Sequence, residues 1–385
     1  MSEDSELQRQ MVAWRHDIHQ YPELGFRVER TAEKVASVMR SIGIEVHENV
    51  GETGVVGVIR KGTSKRAIGL RADMDALPIQ EANTFAHRSR NEGCFHGCGH
   101  DGHTSMLLGA ARVLAETAVF DGTVYLIFQP SEENGLGAQA MIDDGLFTRF
   151  PMGAIFGLHN MPGIPEGHFA VRNGPIMTSE DVFEIHVQGR GGHASMPEQS
   201  LDPIMVGSSI VQELQSIVSR SISPRDWGVV SVTEFVTDGA RNIIPSNVWI
   251  RGDCRALSIQ VQDTIESRMR ALVEGICSAH GVTGYVDYRR EFVPTINHPE
   301  YTEMATSAAR AIAGDLAVDA DCPTCGASED FARMLQIVPG CYMLIGNGES
   351  GCCGRSLHNP NYDLNDSILS VGCKYWVEVV ERSLN

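Results

Sequence analysis

Five separated stretches of this chain concentrate histidine, cysteine and carboxylate side chains. Each lies after an apolar run or in a loop near the start of a helical pattern. They are RADMDALP (71–78), HGCGHDGH (96–103), QPSEEN (129–134), GLHN (157–160) and SLHNPNYDLND (356–366). Side chains this far apart act together only in a fold that returns its strands to one edge. Parallel strands alternating with helices do so, because the loops after the strands gather where ligands bind in open α/β sheets.

The rest of the pattern agrees. Helical periodicity covers Glu6–Tyr21, Arg30–Ile42 and about His103–Ala118, where Leu107, Ala111, Leu114 and Ala118 share a face. Strand-like runs occur at Gly54–Ile59, Ala67–Arg71, Val124–Phe128 and Ala154–Leu158, with a short helix at Ala138–Asp144. This predicts an α/β fold: a mostly parallel sheet with helices on both faces. The character changes near Ser179. A strand at Val182–Val187 precedes a helix at Leu201–Arg220, strands at Val229–Val236 and Val248–Asp253, a helix at Ile259–His280 and a strand near Tyr285–Tyr288. That order, β-α-β-β-α-β, is ferredoxin-like α+β. Helices near Glu300–Ala313, Ser328–Leu335 and Asp366–Leu384 then resume the first style. The expectation is a discontinuous domain, 1–179 and 294–385, with a second domain, 180–293, inserted in it.

Charge narrows the partners. Lys plus Arg number 31 and Asp plus Glu 49, a net charge of −18. This disfavours nucleic acid, which needs a basic footprint, and anionic membrane surfaces. No run approaches the roughly 18 apolar residues of a membrane span. The opening MSEDSELQRQ lacks the basic-then-apolar pattern of a secretory signal, so a cytoplasmic location is expected. Ten cysteines in 385 residues are too sparse for a disulfide scaffold.

HGCGHDGH packs three histidines, a cysteine and an aspartate between glycines that let the backbone bend tightly around a metal. Cys98 and His100, two apart, face one side of an extended chain. The adjacent carboxylates Glu132 and Glu133 point different ways, so one can bind metal while the other meets substrate. Alone, the pair reads more readily as an acidic turn favoured at a helix N-terminus. His159 and His358, each alone, read as hydrogen-bonded structural histidines. Asp73 and Asp75 fit best as groups that orient ligating histidines.

Taken in order, WRHDIHQYPELGF, RADMDALP, GCGHDGHT, the Glu-Glu pair, GLHN, GRGGHAS, NIIP, SEDFA and LHNPNYDLND span almost the whole chain. On these motifs it resembles the M20 metallopeptidase family, in its branch of hippurate hydrolases and indole-acetyl amino acid (auxin conjugate) amidohydrolases. The resemblance implies two divalent metals, Mn²⁺ or Zn²⁺ with Co²⁺ or Ni²⁺ as alternatives, held by Cys98, His100, Glu133, His159 and His358. It makes Glu132 the base that activates water for cleavage of the amide bond of an N-acyl amino acid. It gives His193 a role in polarising the scissile carbonyl, and Asn242 and Arg255 a role in gripping a substrate carboxylate. For Arg255 the residues alone read equally as an ordinary surface charge. The inserted domain is implied to act as a lid and a homodimer surface. Other branches carry His and Asp where this chain has Asp73 and Cys98, so Cys98 marks the branch. SEEN, the TDGARNIIP lead-in and the GNGESGCCGRS segment depart from the family pattern and leave the acyl group open. A dipeptidase or an aminohydrolase of an aromatic amine is an alternative on the same fold, and a non-catalytic metal-binding scaffold is a further one that the intact Glu132 counts against.

Overall fold

The computed structural model describes residues 3–385. The chain divides into two compact units. Of the described residues, the first comprises 3–176, 296–323 and 329–385, and the second 177–295 with 324–328.

The first unit is built on an eight-stranded sheet, in the spatial order Glu45–Val50, Gly54–Lys61, Gly122–Gln129, Ala67–Asp73, Ala154–Pro162, Gly340–Gly348, Phe169–Ala170 and Val318–Asp319. Its four central strands, Gly122–Gln129 through Gly340–Gly348, run parallel. Their apolar side chains alternate between two buried faces, as strands covered on both sides require. Leu70, Ala72, Leu126, Phe128, Phe156, Leu158, Met343 and Ile345 join one core with the helices His100–Glu116 and Leu369–Leu384. Arg71, Gln129 and Tyr342, one residue out of phase, point to the other face. There Phe331 packs on Tyr342, with ring centroids 5.5 Å apart.

The chain passes from Ala67–Asp73 through a helix to the strand on one side, then crosses to Ala154–Pro162 on the other. The connections therefore diverge around Ala67–Asp73, and a crevice opens beyond the carboxyl ends of these strands.

Four strands of this sheet are missing from the sequence reading: the two-residue strands Phe169–Ala170 and Val318–Asp319, and two longer ones. Glu45–Val50 is a polar edge strand with little buried. Gly340–Gly348 is a central strand, buried along almost its whole length, whose apolar stretch CYMLI lies between glycines.

The second unit has a four-stranded antiparallel sheet, ordered Gly228–Thr237, Asn247–Ala256, Glu180–Gln188, Thr283–Phe292. The helices Pro203–Ser216 and Ile259–Ala279 join its strands in β-α-β-β-α-β order. Val206, Ile210 and Leu214 from one helix and Ile265, Met269 and Val273 from the other share a core with Phe183, Ile185, Val248 and Ile250. Asp202 caps the first helix by accepting from the Ile204 N–H, with Pro203 in its first turn. Ser258 caps the second by accepting from the Val261 N–H.

Candidate metal centre

The sequence-predicted donors arrive from separate elements at the crevice of the first unit. Asp73 ends its strand, His159 lies near the end of the neighbouring one, and His100 is the first residue of the helix His100–Glu116. Gly99, just before that helix, has φ +91°. A Cβ there would lie 2.2 Å from Asn160 Oδ1 and 2.7 Å from the Tyr362 hydroxyl, so only glycine brings Cys98 and His100 in this close. Glu132 and Glu133 follow the strand Gly122–Gln129 in a turn where Ser131 has φ +57°. Asp75 fixes that turn by accepting from the Glu132 N–H at 3.0 Å and the Glu133 N–H at 3.2 Å. His358, also left-handed at φ +64°, is tied to the Cys98 loop where its N–H donates to the Gly97 carbonyl at 2.8 Å.

Hydrogen bonds decide which ring nitrogens face inward. His100 Nδ1 donates to the Asp75 carbonyl at 2.8 Å, and His159 Nδ1 donates to the Asn160 carbonyl at 2.6 Å. Both Nε2 atoms therefore keep free lone pairs. His159 Nε2 lies 3.4 Å from Cys98 Sγ. His100 Nε2 is 3.8 Å from Glu133 Oε1 and 4.0 Å from Glu132 Oε2. His358 Nε2 is 3.6 Å from the other oxygen of Glu133. Donor atoms of Cys98, His100 and His159 lie within 4.8 Å of one another, as do those of Cys98, Glu133 and His358. All five predicted donors are thus together. His358 is the outermost, with 52% of its side chain exposed against 14% for Glu133.

The charge balance shows what is lacking. His100 Nε2 and Glu133 Oε1 are buried with no hydrogen-bond partner. Burial first, then Glu329, Glu133 and Asp330, push the Glu132 carboxyl well above the usual carboxylate range. Burial raises Glu133 to about 7 against the pull of His100, with Asp75 and Asp73 adding to the rise. Burial and the neighbouring Glu133, Glu132 and Asp73 hold the Cys98 thiol well above its ordinary value. Inward lone pairs on mixed N, S and O atoms, beside acids short of positive charge, fit divalent cations.

Several supporting residues are absent from the sequence assignments. His103 bridges Asp73 Oδ1 at 2.6 Å and Asn160 Oδ1 at 2.7 Å, joining the ends of two strands. Its spacing from His100 on one helix was the available signal. Behind Asp73, the buried Arg71 guanidinium meets Asp73 at 2.8 Å, Gln129 and Glu329 at 2.9 Å and Asp330 at 3.2 Å. The Tyr342 hydroxyl donates to Glu329. On the helix side, Asp101 accepts from His19 Nδ1 at 2.8 Å, and Arg15 binds Asp363 at 2.9 Å. His96 is buried but belongs to none of the donor groups.

His193, Asn242 and Arg255 are in the second unit. His193 is exposed on a two-residue strand paired with Ile243–Ile244, and the Asn242 carbonyl accepts from the Ala194 N–H at 3.1 Å, so the two segments adjoin. Arg255 is half-buried. Its guanidinium is held by Glu180 and Asp253, each at 2.9 Å, and by Ser328 at 2.8 Å. Gripping a substrate carboxylate would require those pairs to open.

The crevice and its donors describe a candidate metal centre, and comparison with known proteins makes the chain a metal-dependent amidohydrolase. Residues 69–382 match peptidase family M20/M25/M40, and the chain belongs to that family. It is 39% identical over 379 residues to the hippurate hydrolase of Campylobacter jejuni, covering 98% of both chains. It is 37% identical over 367 residues to IAA-amino acid hydrolase ILR1-like 2 of Arabidopsis thaliana, covering 94% of this chain and 82% of the other. A crystal structure of a dinuclear metal-binding M20-family peptidase from Bacillus subtilis superposes with a TM-score of 0.86 at 29% identity, covering 99% of each chain.

Proposed function

We propose that the protein hydrolyses the amide bond of N-acyl amino acids at a pair of divalent cations held by Cys98, His100, Glu133, His159 and His358. The observation that carries this is the convergence of those five donors beside Glu132, an acid buried next to them. When bound, such cations polarise a carbonyl and lower the pKa of water from 15.7 toward about 7. Mn²⁺ and Zn²⁺ suit the donor set, with Co²⁺ and Ni²⁺ as alternatives.

Glu132 is the proton carrier. Its backbone is pinned by Asp75, which sets the carboxyl beside the five donors. It takes the proton of the attacking water and returns it to the leaving nitrogen, as a general base and then acid. His193 acts on the scissile carbonyl, while Asn242 and Arg255 contact the substrate carboxylate. This assignment rests on the motif resemblance. Dimerisation through the second unit is supported by Phe235 and Val236, 39% and 44% exposed on the edge strand Gly228–Thr237. A purely monomeric species in light scattering at micromolar concentration would sink the homodimer. The lid role of that unit belongs to the same proposal, as does a cytoplasmic location, which ten free thiols favour.

The substrate class follows relatives named for hippurate, IAA-amino acid and, in Bacillus subtilis, N-acetylcysteine hydrolysis. A second reading, peptide-bond cleavage, is favoured by a relative from Saccharolobus solfataricus named thermostable carboxypeptidase 1, 36% identical over 374 residues. The metal-loaded protein should be assayed against hippurate, N-acetyl amino acids, indole-acetyl-aspartate and dipeptides. Turnover of an acyl amino acid at least tenfold above any dipeptide supports the first reading. Turnover confined to dipeptides establishes the second.

A further inference from the structure

The loop between the strand Gly340–Gly348 and His358 carries two adjacent cysteines that the proposed hydrolase chemistry does not use. Their sulfurs lie 3.6 Å apart, and both side chains are partly exposed. Local backbone geometry holds them there. Gly348 and Gly351 have φ +123° and +66°. Gly354 is packed so closely that a Cβ on it would lie 2.2 Å from the Ser350 nitrogen. The turn closes through the Gly354 N–H donating to the Ser350 carbonyl at 3.0 Å and the Arg355 N–H donating to the Cys352 carbonyl at 3.3 Å. Asn347 Nδ2 donates to the Cys353 carbonyl at 2.8 Å and to the Asp363 carbonyl at 3.0 Å, anchoring the turn to the segment after His358.

The separation favours one chemistry over another. A disulfide needs the sulfurs about 2.05 Å apart, with a steep torsional preference that a planar peptide between neighbouring residues resists. A thiophilic atom with bonds of about 2.3 Å, the length of a zinc–thiolate bond, would span 3.6 Å at roughly 100° without moving either sulfur.

We propose that Cys352 and Cys353 form a two-thiol site that captures a soft electrophile with two exchangeable hydroxyls, of the monosubstituted trivalent arsenical class. The exchange balances without an added base or oxidant. Two As–OH bonds and two S–H bonds break, two As–S bonds form, and each thiol proton leaves with a hydroxyl as water. Burial first, and then Cys352 beside it, push the Cys353 thiol up to about 12, so it enters protonated and delivers its own proton to the leaving hydroxyl. The site is independent of the hydrolase reading and stands whether or not an amide is cleaved.

Metal-loaded full-length protein is mixed with one equivalent of phenylarsine oxide in excess 2-mercaptoethanol, passed through a desalting column and weighed by intact mass spectrometry. The expected product carries one phenylarsenic in place of two thiol hydrogens and is released by dithiothreitol. Cys352→Ser and Cys353→Ser, each checked for wild-type melting, keep one thiol and lose the chelate, so retention falls by about 10²-fold or more. No retention by the wild type overturns the proposal. So does undiminished retention in both variants, which would locate the capture at other cysteines.

Discussion

The two units bury charge in opposite ways. The first encloses Arg15, Arg71, Asp73, Asp101, Glu132, Glu329 and Asp330, all 6% exposed or less. The second holds one comparably buried acid, Asp181, partnered by the neutral Gln262 amide at 2.6 Å and the Tyr288 hydroxyl at 2.7 Å. Burial lifts Asp181 to about 6 against those two hydrogen bonds. Its apolar sandwich is what any small α+β unit needs to stay folded. The first unit carries desolvated ions that a stability-driven core would replace with hydrocarbon. The difference marks where stability is exchanged for chemistry.

That contrast breaks most sharply at Glu132. Glu132→Gln should lower kcat by about 10²- to 10⁴-fold while bound metal, read by elemental analysis, stays at the wild-type level. Near-normal kcat would remove Glu132 from the reaction. Next comes Arg71→Met, which strands Asp73, Glu329 and Asp330 without their cation. It should cost about 3–5 kcal/mol in urea unfolding of the first unit. A loss under 1 kcal/mol would mean the network is held by neighbours other than Arg71.

His19 gives a pH-dependent test. Burial pulls its pKa down, but hydrogen bonds to Asp101 and Glu81 prevail and raise it from 6.5 to about 9. The folded protein therefore keeps a proton that the unfolded chain has released. The stabilisation is complete below about 6.5, fades as pH climbs and is gone above about 9, a span on the order of 3 kcal/mol. The stability gap between wild type and His19→Gln should shrink by that amount over the window, and a gap indifferent to pH would refute it. The smallest effect belongs to the second unit. Ser258→Ala removes one helix cap and should cost about 1 kcal/mol, with kcat unchanged.

Cys98 and His100 were legible as candidate donors because HGCGHDGH clusters residue types with few other reasons to meet, whereas Glu133, His159 and His358 alone read as structural and entered through the motif resemblance. Cys98 and His100 are two residues apart, and Glu132 and Glu133 are adjacent. The charge network behind them was not legible. Arg71 and Glu329 are 258 positions apart, and neither RAD nor SED says which opposite charge it will meet. Pairing of buried ions is settled by strand order and side-chain phase, which appear only once the sheet is assembled. The strand Gly340–Gly348 goes unassigned although its apolar run CYMLI is of the same kind as those in Val124–Phe128 and Ala154–Leu158, so no feature of residue type separates it from the strands that were read. The short passage of residues 324–328 into the second unit has no compositional break to announce it.

The left-handed glycine before the helix His100–Glu116 also bears on how this protein can be altered. With an amide oxygen and a phenol already filling the space a methyl would take, position 99 tolerates no side chain, so active clones from saturation mutagenesis there should encode only glycine. Attempts to re-tune the catalyst by laboratory evolution must work around that fixed point. Variation is open instead at the rim, where the imidazole of residue 358 is half in solvent and a change of donor meets the least resistance.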